Sequence, residues 1–330
     1  MTAEIQHTPE NQLIKVLGDT LLVNYADDIT DPVPMLSING TLIATAGNIS
    51  VIGGKQKSRK SFFINMLSTA YLNGEYGMIA GSEDEKRPLL LFDTEMGRTH
   101  VQKSVQRICR MCGLDKHHER LKVFYLRERD VAERINIIRA QIEKYQPGFV
   151  IVDGIVDLCY NFNDISFSSS TVQFLMYLSS LYNCHITTVL HENKGTVDSN
   201  LRGHLGSILA QKSETVFQLK KDGDNTIVSA AATRNIPFED FLFKINEDSL
   251  PVILEVTQTP PKQTSTERIV ETIRLTLDDK ALSYGDLQRE YMEMAGVKER
   301  TAQNHIATCR KMNIIYKSEK DEKYRCTQYR

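Results

Sequence analysis

One stretch constrains this chain more than any other: Asn48 to Phe63, reading NISVIGGKQKSRKSFF. Ile49–Ile52 is a short apolar run rich in β-branched residues, the composition of a buried parallel strand. Gly53 and Gly54 follow, and Lys55, Gln56, Lys57, Ser58 and Arg59 lead to Lys60 and Ser61. From Lys60 onward the apolar spacing is helical, with Phe63, Met66, Leu67 and Ala70 on one face. Strand, glycine turn, Lys-Ser and helix is the layout of a phosphate-binding loop, here Gly53 to Phe62. Successive loop N–H groups and the positive end of a helix converge on one anion. Lys60 adds a mobile charge for the β- and γ-phosphates of a nucleotide, and the Ser61 hydroxyl can hold a Mg²⁺ that keeps most of its waters. One position departs from the Gly-x-x-x-x-Gly-Lys-Ser/Thr pattern. Arg59 stands where the second glycine is expected, and a Cβ there restricts close backbone approach and positive φ.

Length and composition set the frame for that loop. A chain of 330 residues can bury one large core and a small second domain. With 41% hydrophobic and 25% charged residues and a formal net charge of −2, any nucleic-acid surface must be a local patch. No apolar run has membrane-spanning length, the polar N-terminus lacks signal-peptide character, and six scattered cysteines suggest reduced thiols, so a cytoplasmic location without membrane partners is expected. Cys109 and Cys112 form C-x-x-C inside a helical pattern, which reads as helix packing.

Residues 1–34 look like a lead-in that packs on the core, and Leu72 to Pro88 reads as a polar connection. Strands and helices then alternate. Strands are expected at Pro88–Asp93, Leu121–Leu126, Phe149–Asp153 and Ile186–His191, and helices at Arg98–Cys112, Val131–Tyr145 and Ser168–Tyr182. This is the pattern of an α/β domain with a mostly parallel sheet, residues 35–256. From Glu214 four short strands fit antiparallel additions at the sheet edge. Residues 257–265, with Pro260 and Pro261, read as a linker to a separate segment, 266–330.

Three strand ends carry further chemistry. Phe149-Val150-Ile151-Val152-Asp153 is an apolar strand ending in a carboxylate, the pattern that holds the Mg²⁺ shell through water beside a phosphate loop. Leu89–Asp93 continues to Thr94 and Glu95. Carboxyl ends of neighbouring parallel strands share one crevice, so Glu95 can orient and deprotonate an attacking water, although a helix N-terminal acid fits the local pattern equally well. Ile186–His191 ends in a histidine that can report the γ-phosphate or simply pack. Ser199–Ser207, glycine-spaced around Arg202, reads as a mobile loop whose arginine could act in a neighbouring subunit.

The order of these motifs (phosphate loop, strand ending in Glu95, Asp153, His191, then Leu201-Arg202-Gly203) resembles that of RecA-like ATPases of the DnaB and RepA type. In particular the chain looks like the RepA-like ATPases of bacterial plasmids and integrative mobile elements, over about residues 35–256. The resemblance implies a RecA-like core with antiparallel edge strands that binds ATP and Mg²⁺. Ser61 and Asp153 would serve the metal, and Lys60, Glu95, His191 and Arg202 would serve catalysis. It further implies that Glu95 activates water, His191 senses phosphate and Arg202 reaches the site of the next subunit. It implies a homo-oligomeric ring, a hexamer, whose channel holds single-stranded DNA between Gly154–Ser170 and Lys194–Ser207. Tyr160, Phe162 and Phe167 are the stacking candidates in those loops. The expected activity is a DNA helicase in plasmid or mobile-element replication or mobilisation. The alternatives are an ATP-switched DNA-binding regulator or loader, and a nucleotide-binding protein without turnover.

The C-terminal segment shows three helical patterns and a charged tail, which suggests a winged helix-turn-helix that binds duplex DNA. Its recognition helix would be Arg300–Met312, with Arg300, Thr301, Gln303, Asn304 and His305 at the end that meets base edges. Residues 298–330 hold nine Lys and Arg against four Asp and Glu, the local positive excess such a role needs.

Overall fold

The computed structural model describes residues 21–82, 85–193, 201–254, 265–278, 280–318 and 320–327. In chain order the first part comprises β1 (Pro34–Ile38), β2 (Thr41–Thr45), β3 (Ile49–Gly54), α1 (Lys60–Asn73), β4 (Glu75–Tyr76), β5 (Ile79–Gly81), β6 (Leu89–Asp93), α2 (Arg98–Met111), β7 (Leu121–Tyr125) and α3 (Val131–Tyr145). It continues with β8 (Phe149–Asp153), a 3₁₀ turn at Ile155–Leu158, α4 (Ile165–Leu181), β9 (His185–His191), α5 (Gly203–Lys212), β10 (Thr215–Asp222), β11 (Asn225–Thr233), β12 (Phe241–Ile245) and β13 (Pro251–Leu254). The chain divides into two compact units, Met1–Glu255 and Val256–Arg330. Residues 257–264 of the expected linker and residues 194–200 of the expected channel loop lie outside the described residues, as do residues 1–20 of the lead-in.

The large sheet has the order β13-β12-β11-β10-β3-β9-β8-β6-β7. β10, β3, β9, β8, β6 and β7 run parallel, and β11 to β13 continue antiparallel. The expectation of four antiparallel edge strands is corrected at β10, which pairs parallel with the phosphate-loop strand: Leu219 lies opposite Gly54. β3 therefore sits inside the sheet with both neighbours in place. Its residues Ile49–Gly54 are all buried, as an uninterrupted apolar run requires.

Leu72 to Pro88 is not a plain connection. β4 and β5 join β1 and β2 in a small antiparallel sheet of order β2-β1-β5-β4. Helix α1 shares one core with both sheets: Phe63, Met66, Leu67 and Ala70 cluster with Met35, Leu36 and Ile38 of β1 and with Ile52 and Phe217 of the large sheet. The four residues whose spacing marked the helix are indeed buried, but so are most of its others. A helix buried on nearly all sides shows no polar stripe.

The second unit contains α6 (Ser265–Leu277), α7 (Tyr284–Ala295), α8 (Glu299–Lys311) and an antiparallel pair, β14 (Ile315–Lys317) and β15 (Tyr324–Cys326). It has its own core of Ile273, Leu277, Leu287, Tyr291, Ala302, Ile306, Cys309, Ile315 and Tyr324. Ser283 caps α7 by accepting from the Asp286 N–H, and Gly296 ends it at φ 63°. On α8, Arg300, Thr301, Gln303 and Asn304 are exposed. His305 instead shares a 2.9 Å hydrogen bond with the Tyr291 hydroxyl, so it ties α8 to α7. Among the described residues no helix is long and apolar enough to cross a membrane.

Candidate active site

Strand register assembles the site. Asp93 pairs with Asp153 across β6 and β8, and Gly54 pairs with His191 across β3 and β9. Four strand ends thus deliver Gly54, His191, Asp153 and Asp93 along one edge of the sheet, where parallel strands form a common crevice.

The loop from Gly54 to Lys60 is tightly held. A Cβ on Gly54 would lie 2.7 Å from the Leu219 carbonyl oxygen and 2.6 Å from Ser58 Oγ, so only glycine fits there. Ser58 N–H donates to the Lys55 carbonyl at 3.2 Å. Arg59 is the N-cap of α1, with φ 65° and ψ 29°. The chain therefore uses at Arg59 the left-handed geometry that a glycine would have supplied freely. Its guanidinium reaches across to β10–β11 and donates to the Asp224 carbonyl at 2.6 Å and to Thr226 Oγ1 at 3.3 Å.

Lys60 Nζ donates to the carbonyls of Gly54 and Lys55, both at 2.9 Å, and lies 3.0 Å from His191 Nδ1. Burial lowers its pKa to about 8, against the opposing pull of Asp153, Glu95 and Glu192. The other ring nitrogen of His191, Nε2, lies 3.7 Å from Glu95 Oε1. His191 thus bridges the loop lysine and Glu95, and its contact holds the Glu95 carboxyl below its usual range against the effect of burial. Glu95 lies two residues before Gly97, the N-cap of α2, and the first turn of that helix holds no acid. A Cβ on Gly154 would come within 2.5 Å of Glu95 Oε1, so that glycine keeps the carboxylate's space open.

Asp93 carries no sequence signal of its own, because an Asp at the end of an apolar strand is common in parallel sheets. The structure places it beside Asp153, with Oδ1 accepting from the Glu95 and Met96 N–H groups at 3.1 and 2.7 Å. Its Oδ2 is buried without a partner. Burial, with Asp93 and Glu95 nearby, pushes Asp153 up to about 8. Ser61, Asp93 and Asp153 line one cavity of about 10 Å³. No group of three His, Cys, Asp or Glu among the described residues could hold a metal by itself. An orphaned carboxylate oxygen, a penalised Asp and a hydroxyl fit a Mg²⁺ that takes its other ligands from water and phosphate. Ser61 and Asp153 would hold it, with Asp93 behind them.

Thr94, Asp157 and Arg134 brace these strand ends. Thr94 Oγ1 donates to Asp157 Oδ2 at 2.8 Å and accepts from the Gly154 N–H at 3.0 Å. Arg134 donates to the carbonyls of Leu126, Arg127 and Asp157. Arg202, the N-cap of α5, donates its backbone N–H to the His191 carbonyl and lays its guanidinium 4.5 Å from the Phe162 ring centre. The expected mobile loop is corrected from Gly203 onward, where the chain is helical. Arg202 lines a cleft of about 440 Å³ with Glu95, His191 and Arg127 of the same chain. Of the stacking candidates, Tyr160 and Phe167 are exposed with ring centres 5.8 Å apart, whereas Phe162 packs on the core. Cys109 and Cys112 are free thiols that pack on the core of α1, as the helical pattern suggested.

The buried acid has a measurable consequence. The folded-state pKa of Asp153, about 8, lies above its ordinary 3.8. Asp153 therefore binds more proton in the folded than in the unfolded chain between those values, and the stability that this group contributes falls as pH rises through that window. Lys60, lowered from 10.5 to about 8, acts only above it. Metal-free Asp153→Asn is expected to melt higher than the unsubstituted protein at pH 8, by roughly 3 °C or more, with a flatter pH profile. A lower melting point at pH 8 in scanning calorimetry would show that the carboxylate is not penalised.

A family model described as an AAA domain matches residues 21–197, more than half of the chain. The match includes Lys60, Ser61, Glu95, Asp153 and His191, and ends before Arg202 and the second unit. No curated protein matches in sequence. Among solved structures, the crystal structure of the RadB recombinase is similar at 15% identity and a TM-score of 0.47, over 64% of this chain and 92% of that chain.

Proposed function

Because the chain belongs to the AAA domain family, we propose that it is an ATP-hydrolysing, DNA-processing motor: a RecA-like, RepA-type ring helicase that serves replication or mobilisation of a plasmid or mobile element. The observation that carries this reading is the convergence of Lys60, His191 and Glu95 in one chain of contacts beside Asp153. A phosphate-binding module alone has no use for an ionised carboxylate that is held in place by a group touching the loop lysine. Hydrolysis needs one, to take the proton of the attacking water.

In this mechanism Ser61 and Asp153 would hold a Mg²⁺, which would supply neutralising charge at the phosphates. Lys60 leaves the carbonyls of Gly54 and Lys55 for the phosphate oxygens and adds its own charge. Glu95 stands ionised to accept a proton from water. His191, touching both, senses whether Lys60 is engaged. Arg202 acts on the neighbouring subunit's site, in a homo-oligomer that we take to be a hexamer. Tyr160 and Phe167 supply exposed rings for stacking single-stranded bases. The second unit acts as a winged helix that meets duplex DNA through the exposed face of α8.

The test is phosphate release with and without single-stranded DNA, with oligomer mass measured on the same sample and strand displacement on forked DNA. Stimulated turnover by a ring that displaces a strand is expected. Stimulated turnover without displacement would favour the ATP-switched regulator or loader, and no turnover would overturn the motor.

A second expectation concerns the C-terminal unit. Residues 1–255 are expected to keep ATPase activity and to lose duplex binding. Residues 265–330, with their own core, are expected to bind duplex DNA at least tenfold more weakly at about 200 mM than at about 50 mM salt. A folded fragment with no DNA affinity at low salt in an anisotropy titration would make this unit a protein-docking module instead.

A further inference from the structure

Arg59 is the place where this chain leaves the phosphate-loop pattern, and the structure shows what the arginine does. Its backbone keeps the left-handed conformation, φ 65°, that the consensus glycine provides. Lys57, two residues earlier, is left-handed as well, at φ 63°. Two side-chain-bearing residues in that region make the loop conformation costly to hold by itself. Both lie between Gly54, which β10 holds through Leu219, and α1, whose Phe62 and Phe63 N–H groups donate to the Arg59 carbonyl. The Arg59 side chain supplies the missing restraint. One nitrogen, Nη1, donates to the Asp224 carbonyl, in the turn that joins β10 to β11, and to Oγ1 of Thr226 on β11 itself. Thr226 is fully buried and paired with Lys221 and Phe243 on either side, so the anchor point is rigid.

We propose that Arg59 is a strap: it presets the phosphate loop by fastening its last residue to the β10–β11 hairpin. In place of glycine's freedom to adopt the binding shape, this chain uses a residue that is poor at the shape but is tied into it. Arg59 is then a positioning residue. The proposal rests on the ATP-binding reading of the loop, and its test separates the two.

Three variants of the full chain distinguish a strap from a phosphate contact: Arg59→Ala, Arg59→Gly and Thr226→Val. Binding of a fluorescent ATP analogue is measured by titration, and backbone hydrogen exchange of residues 220–228 is measured without nucleotide. Arg59→Ala keeps the strained backbone and loses the strap, so its affinity is expected to fall roughly tenfold. Arg59→Gly loses the strap but also the strain, and is expected to recover most of that loss. Thr226→Val removes one acceptor of the strap and should weaken binding in the same direction. Hairpin exchange should quicken in all three. Equal losses in the Ala and Gly variants with hairpin exchange unchanged would mean that the guanidinium acts on the nucleotide itself, and would overturn the strap. So would wild-type affinity and exchange in all three. If the unsubstituted protein binds no nucleotide, the ATP reading fails, and the exchange data still decide whether Arg59 fastens the hairpin.

Discussion

Glu95→Gln is expected to bind ATP nearly as tightly as the unsubstituted protein and to hydrolyse it slower by roughly 10³. The carboxylate sits beside His191, which holds its pKa low, so at neutral pH it is ionised and ready to accept a proton. Glutamine keeps the size and a hydrogen-bonding oxygen but cannot take that proton. Since Glu95 lies beyond the loop that grips phosphate, affinity should survive. Lys60→Ala should show the opposite pattern. It removes the buried ammonium that reaches the Gly54 and Lys55 carbonyls and His191, so nucleotide binding itself should be lost while the fold persists. Parallel titrations with a fluorescent nucleotide and single-turnover phosphate release would check both. Normal hydrolysis in Glu95→Gln would move the search for the base elsewhere, and unchanged affinity in Lys60→Ala would end the phosphate-loop assignment.

The second large effect concerns Arg202. Its removal is expected to slow turnover by roughly 10³ while leaving ATP binding largely intact, because a cation that meets the γ-phosphate counts most in the transition state. The structure sharpens the question of which site it serves. Within its own chain the guanidinium lies over Phe162 and borders the cleft of Glu95 and His191. Mixing two inactive proteins settles the matter. A Lys60→Ala subunit keeps its arginine, and an Arg202→Ala subunit keeps its phosphate loop. If the arginine works across the interface, subunit exchange rebuilds a complete site where the first lends its arginine to the second, and activity returns. If Arg202 serves its own chain, every mixed site lacks a part and the mixture stays inactive. Exchange followed by fluorescence transfer between labelled subunits makes a negative result meaningful.

The local chemistry of this protein is legible along the chain. Ile49–Ile52, Gly53-Gly54, Lys60-Ser61 and the Phe63, Met66, Leu67, Ala70 spacing mark strand, turn and helix because each element is specified by neighbours along the chain. Phe149–Asp153 and Leu89–Asp93 were equally legible, as buried parallel strands carry unbroken apolar runs. β4 and β5, of two and three residues, were too short to leave a periodic signal. How the pieces meet is set by strand order and register. The pairing of Asp93 with Asp153 depends on the register of strands separated by two helices and another strand, and that register turns two ordinary strand ends into a buried acidic pair. The contact of His191 with both Lys60 and Glu95 depends on β9 lying between β3 and β8. Arg59 shows the division most sharply. Sequence marks it as an anomaly in a glycine position, but its partners, Asp224 and Thr226, lie 165 and 167 residues away. No pattern of spacing encodes a hydrogen bond that exists only because β10 folds back beside β3. Propensity and period act over a few residues, whereas a functional site is built from strand order.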